Sequence, residues 1–269
     1  MMGAQEKPLH FMPTEGFRQR SKAVVENEFL QKSFRAAMDF LMTKRAAQFP
    51  DDDELQSLRS LGEAIRQNSL AKLPALLEQL ESRLTQNGIQ VHWAETAEEA
   101  NAIIIGICEK HGARRMVKGK SMVSEEIEFN HAAEAVGIEA IETDMGEYIL
   151  QLAGEKPSHI IMPAIHKTKQ QIARLFEEKL PGVAYTEDVD TLIQIGRKVL
   201  RQKFLEADIG LSGVNMAVAE TGTLVLVENE GNGRLSTTTP RIQVAITGIE
   251  KVVENLDHVP PLLSLLTRS

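Results

Sequence analysis

Up to residue 88 the apolar positions recur at helical spacing. Leu30, Phe34, Met38 and Leu41 form one stripe, and Leu55, Leu58, Leu61 and Ile65 form the next. Pro50 and the acids at 51–54 open that second helix, because acidic groups suit the positive end of a helix dipole. Pro74 suits a first helical turn, Leu77, Leu80 and Leu84 continue from it, and Asn87-Gly88 stops it. From residue 89 the period changes. Short runs at 89–93, 114–118, 138–141 and 159–162 read as strands. Helices alternate with them. Thr96 with Glu99 opens one that ends near Gly112, and another covers 124–136 and closes at Gly137. Asp144 with Glu147 caps a short helix, Thr168 with Gln171 forms a capping box, and a longer helix covers 186–207. This alternation implies a Rossmann-like α/β fold, a mostly parallel sheet with helices on both faces and an N-terminal helical extension. The last third is richer in strands, at 217–219, 223–228 and 241–247, the first two pairing as a hairpin around Glu220-Thr221-Gly222. The expected division is a helical region 1–88, an α/β domain 89–258 and a tail 259–269 whose leucines need a surface to pack on.

Composition narrows the function classes. The chain has 269 residues, 42% hydrophobic and 25% charged, which is ordinary globular usage. It lacks both a run of ~18 apolar residues, as a membrane-spanning helix requires, and a secretory leader, so a cytoplasmic protein is expected. A net charge of -8 and 4% aromatic residues argue against a nucleic-acid face. The single cysteine, Cys108, excludes an intramolecular disulfide, and an iron–sulfur cluster takes about four thiolates. Zinc-ligand spacing and a Gly-rich dinucleotide fingerprint after a strand are both missing, so neither a metal nor a cofactor is expected in this chain.

Three segments carry candidate chemistry. Lys118, Lys120 and Ser121 lie where a strand ends and a helix begins, the place where open α/β sheets bind ligands. Two ammonium groups and a hydroxyl there suit an anion, although spacing alone favours a solvated turn with a capped helix. The segment is not a Walker A loop, since position 114 is arginine where that motif needs glycine. Glu220, Thr221 and Thr223, then Asn229, Glu230, Asn232 and Arg234, gather carboxylates, amides and glycines in two turns. They suit a ligand rim with a carboxylate as base or nucleophile, or two ordinary turns. His166, after the run at 159–162, is a candidate proton donor. Cys108 reads as inert core.

The strings KGKSMVSEEI (118–127), TDMGEYILQ (143–151), HIIMPAIH (159–166), GLSGVNMAVAETGT (210–223), ENEGNGR (228–234) and GIEK (248–251) occur in this order. Together they resemble the lactate-utilisation (LUD) domain family, and the N-terminal helical block fits its larger, B-type subunits. The resemblance implies a sheet related to ribose-phosphate isomerases and CoA transferases. It also implies a part in a complex that oxidises L-lactate to pyruvate with Cys-rich iron–sulfur partners. Family members of this type continue into a region carrying 4Fe–4S clusters, which this sequence does not include. Gln243 stands where the family often has histidine. In a pocket for a small carboxylate, Lys118, Lys120 and Ser121 would clamp the anion. Asn215, Glu220, Thr221 and Thr223 would line the opposite side, and Asn229, Glu230, Asn232 and Arg234 would close the rim, the arginine fork matching a carboxylate. Glu220, Glu230 and His166 are the candidate catalytic groups. The competing expectations are a stand-alone acyl, small-acid or sugar-phosphate enzyme of the related superfamily, and a docking scaffold.

Overall fold

The computed structural model describes residues 16–159 and 162–268. Four helices lead: α1 (Phe17–Glu26), α2 (Glu28–Gln48), α3 (Asp52–Ala71) and α4 (Leu73–Gln86). The middle runs α5 (Ala97–Lys110), β1 (Arg115–Lys118), α6 (Met122–Glu126), α7 (Phe129–Ala135), β2 (Glu139–Glu142), α8 (Met145–Ala153), α9 (Lys169–Lys179) and α10 (Val189–Glu206). The last third holds β3 (Ile209–Gly213), β4 (Met216–Val218), β5 (Thr223–Val225), α11 (Asn232–Thr238), β6 (Ile242–Ile246), β7 (Val252–Val253) and α12 (Val259–Arg268).

β2, β1, β3 and β6 lie in that order in an all-parallel sheet, with Val117 opposite both Ile141 and Gly210. Successive strand residues face opposite sides. Met116 and Ala140 accordingly join Ile104 and Cys108 of α5 and Phe129 and Ala133 of α7. Val117 and Ile141 join Tyr148 of α8 and Leu200 and Phe204 of α10. The sheet is thus covered on both faces, as its apolar strands require. Each large side chain buried this way, such as Phe129, stabilises by ~1.5–3 kcal/mol.

A second sheet has the order β5-β4-β7, with β4 antiparallel to β5 and parallel to β7. One face packs on Leu76, Leu80 and Leu84 of α4, and the other on Ile65 of α3 and Leu262 of α12. Segments 52–86 and 259–268 therefore share a core with 214–253, and the leucines of the tail find their surface on α3. Gly62 permits that contact, since a Cβ there would stand 2.7 Å from Leu265 Cδ1. Arg268 fastens the end of α12 through Gln48 O, Glu54 and the Phe49 ring.

Two local expectations are corrected, and a third falls partly outside the described residues. Residues 89–93 form no strand: α4 closes with Ile89 N–H donating to Leu84 O and Gly88 at φ 84, and the chain then crosses irregularly to α5. Ile89 and Trp93 stay largely exposed, so the segment has no sheet edge to join. The helix over 124–136 is two helices, broken where Glu128 takes the left-handed conformation at φ 51. The strand over 159–162 includes residues 160–161, which lie outside the described residues, and Met162 begins a turn. Among the described residues no helix is long and apolar enough to cross a membrane.

Candidate functional site

The C-terminal ends of β1 and β2 meet the starts of α6, α8 and α11. Lys118 is the last residue of β1 and is 1% exposed. Its ammonium donates to Glu142 Oε1 at 2.6 Å, Asn130 Oδ1 at 2.8 Å and Glu125 Oε1 at 3.1 Å, one acceptor for each N–H. Register explains the first contact, because Lys118 and Glu142 are paired across β1 and β2. The break at Glu128 explains the others: it lets Glu125 of α6 and Asn130 of α7 both turn toward one ammonium. Burial opposes the lysine's charge, but the carboxylates of Glu142 and Glu125 outweigh it and hold the pKa above its ordinary value. Asn130 Nδ2 also donates to Glu142 Oε1 at 2.7 Å.

Asp144 caps α8 by accepting from Glu147 N–H at 3.1 Å, and it lies 3.8 Å from the Lys120 ammonium. The Glu147 carboxyl is buried beside Glu142 and Asp144. Burial first, then those two charges, push its pKa up to about 8 against the pull of Lys120, so it is mostly protonated at neutral pH. Glu142 Oε2 and Glu147 Oε2 are both buried without a hydrogen-bond partner among the described residues. Glu230 reaches across from the segment before α11 and accepts from Met145 N–H at 3.1 Å. Partial desolvation, reinforced by Asp144, lifts its pKa against that hydrogen bond. Asn232 donates to Thr143 Oγ1 at 3.4 Å, and Thr143 donates to Lys118 O. Glycines permit this convergence: a Cβ on Gly210 would stand 1.9 Å from Ser236 O, so α11 could not lie against β3 with any other residue there.

The structure therefore brings together Lys118, Lys120, Ser121, Glu230 and Asn232. Lys118 is the floor of the site and fully engaged by its own network, Ser121 caps α6 through Ser124 N–H, and Lys120 is the cation with part of its side chain exposed. Arg234 stands at the margin, largely exposed, with its backbone N–H donating to Glu228 Oε2 at 2.7 Å. Asn229 is exposed in the adjoining bend. The remaining candidates lie elsewhere. Asn215 Oδ1 accepts from Val227 N–H at the base of the β4–β5 hairpin. Glu220, Thr221 and Thr223 sit at its far tip, where Thr221 O accepts from Asn87, just after α4, and Glu220 accepts weakly from Leu256 N–H. At strand rise, five residues separate Asn215 from Glu220 by roughly 16 Å. His166 is held on the loop after α8, between Ser158 Oγ at 2.6 Å and Glu155 Oε2 at 2.9 Å. Gln243 on β6 donates to Ser212 Oγ at 2.7 Å.

Sequence reasoning missed Glu142, Glu147 and Asn130 as site residues. The available signal was that Glu142, like Lys118, ends an apolar strand with a charge. The described residues hold no cluster of three or more metal-ligating side chains. The acids Glu125, Glu142, Asp144 and Glu230 outnumber the two lysines. The crevice at these strand ends is thus an acid-rich cluster in which Lys120 is the partly exposed cation.

Among known proteins, Lactate utilization protein B of Bacillus licheniformis is 44% identical over 257 residues, 95% of this chain and 54% of that protein. The protein of the same name from Bacillus subtilis is 42% identical over 257 residues, covering 95% and 53%. That from Lysinibacillus sphaericus is 43% identical over 254 residues, covering 94% and 53%. The chain spans about half the length of these relatives. No solved structure matches it. The LUD domain matches residues 77–269, from within α4 through α12, and the chain belongs to the LUD domain family.

Proposed function

We propose that this chain serves lactate utilisation, as the LUD part of an assembly that oxidises L-lactate to pyruvate. The observation that carries the proposal is similarity over 94–95% of the chain to proteins named for lactate utilisation. The crevice supports it with suitable chemistry. Lys120 meets the substrate carboxylate at the mouth, and Asn232 offers an amide. Glu230, with its raised pKa, accepts the hydroxyl proton. Glu147, protonated at neutral pH, keeps the floor from accumulating a further negative charge beside an anionic ligand.

Removing two electrons and two protons from lactate requires an acceptor. The residues present do not fit an iron–sulfur cluster: the one cysteine, Cys108, is fully buried on α5, and a cluster takes about four thiolates. The clusters of the proposed assembly belong to segments or partner subunits outside this chain, and the chain contributes the substrate crevice in the cytoplasm. A second reading, acyl transfer with Glu230 as nucleophile, is favoured by the partial desolvation of that carboxyl alone, on a residue otherwise exposed.

The test is anaerobic affinity purification from cells grown on L-lactate, followed by dye-linked lactate oxidation. The proposal expects Cys-rich iron–sulfur proteins to co-purify with lactate-dependent dye reduction that Glu230→Gln abolishes. Turnover of an acyl or sugar-phosphate substrate by the purified chain alone, without lactate oxidation in any fraction, would overturn it.

A further inference from the structure

A second cavity, of about 320 Å³, opens between α3, α12 and β4, and it is lined by none of the crevice residues. Its polar lining consists of Arg66 from α3, Lys251 from the turn at 249–251 and Asn215 from the loop between β3 and β4. Arg66 donates through Nη1 to Glu250 O at 3.2 Å, its only hydrogen bond among the described residues, which leaves Nε and Nη2 for a ligand. Asn215 uses its oxygen on Val227 N–H, so its amide N–H groups have no acceptor among the described residues. Lys251 lies 3.4 Å from Glu250 Oε1 in a partly exposed pair, an interaction weak enough to yield to a better partner. The remaining walls are apolar: Met216 and Leu262 are buried, and Leu265 and Leu266 continue the leucine face toward solvent.

The cavity thus sets a cluster of donors, two of them cationic, against an aliphatic wall. Burial draws the Arg66 pKa down while Glu250 opposes it, so the guanidinium is partly stripped of water that an anion would replace. A three-carbon acid would fill only a fraction of the space. We propose that this cavity binds an amphiphilic monoanion, its carboxylate on Arg66 and Lys251 and an aliphatic body of roughly six to eight carbons along the leucines. The site is separate from the lactate crevice, so each can fail without the other.

Isothermal titration calorimetry of the 269-residue chain with octanoate, octan-1-ol and L-lactate tests this. Saturable one-site binding of octanoate is expected, with octan-1-ol weaker by about tenfold because it lacks the charge. Arg66→Gln should weaken octanoate by about tenfold and leave L-lactate binding unchanged. Lys251→Gln, at a more exposed position, repeats the test if Arg66→Gln fails to fold, and should weaken octanoate by several-fold. Equal binding of octanoate and octan-1-ol, unchanged affinity in the folded variants, or no saturable octanoate binding would each overturn the proposal.

Discussion

The crevice at the ends of β1 and β2 and the tip of the β4–β5 hairpin are built from similar residues. Each has carboxylates, hydroxyls or amides, and glycines in tight turns. Their surroundings differ. In the crevice, Lys118, Glu142, Asn130 and Glu147 are held beneath three helix starts, and two carboxylate oxygens are buried without partners among the described residues. At the hairpin tip, Glu220 and Thr223 are exposed and Thr221 bonds to its neighbour Thr223 and to Asn87. Residue type does not separate the two regions. Position does: the parallel sheet directs its strand ends, and the perturbed acids, to one place.

The sharpest way to break this contrast is to remove the buried cation. Lys118→Met leaves Glu142 buried and uncompensated, and should cost ~3–5 kcal/mol in urea denaturation. An intact stability would show that the network does not organise the crevice. The next effect is in pH. Glu147 has its folded pKa raised from 4.5 to about 8, so the native state binds the extra proton between those values. Its contribution is fully present below about pH 4.5 and is lost as pH rises through 8. At ~1.4 kcal/mol per unit, Glu147→Gln should flatten that slope and leave the variant more stable than the parent at pH 9 by a few kcal/mol. Parallel stability curves for the two proteins would contradict it.

Smaller effects sharpen the comparison further. Glu128 holds a left-handed conformation that glycine adopts without steric cost, so Glu128→Gly should raise stability by ~0.5–1 kcal/mol in thermal melts. A loss would mean that the glutamate side chain does more than make the turn. At the hairpin tip, Glu220→Gln should change stability by no more than ~0.5 kcal/mol and leave any lactate oxidation by the proposed assembly unaltered.

Much of this contrast was hidden from the sequence. Helix starts were legible, because Thr96, Asp144 and Thr168 each accept from a backbone N–H three residues on, a signal that is local. The central strand β3 was not, since Gly210 and Gly213 interrupt any apolar alternation. Those glycines are there for contacts with Ser236 and Ser121, far away in sequence. Lys118 and Lys120 were legible as the end of a strand before a helix. Glu142 and Asn130 were not, because they meet Lys118 only through β-sheet register and the turn at Glu128. The hairpin of β4 and β5 was read correctly, yet its geometry carries Glu220 away from Glu230 instead of toward it.

The most direct test of the crevice assignment is L-lactate binding by the folded chain, followed by calorimetry in Lys120→Gln and Glu220→Gln side by side. Loss of affinity by about tenfold in Lys120→Gln with full retention in Glu220→Gln is the predicted result. Retention in Lys120→Gln with loss in Glu220→Gln would place the substrate at the hairpin tip and contradict the assignment.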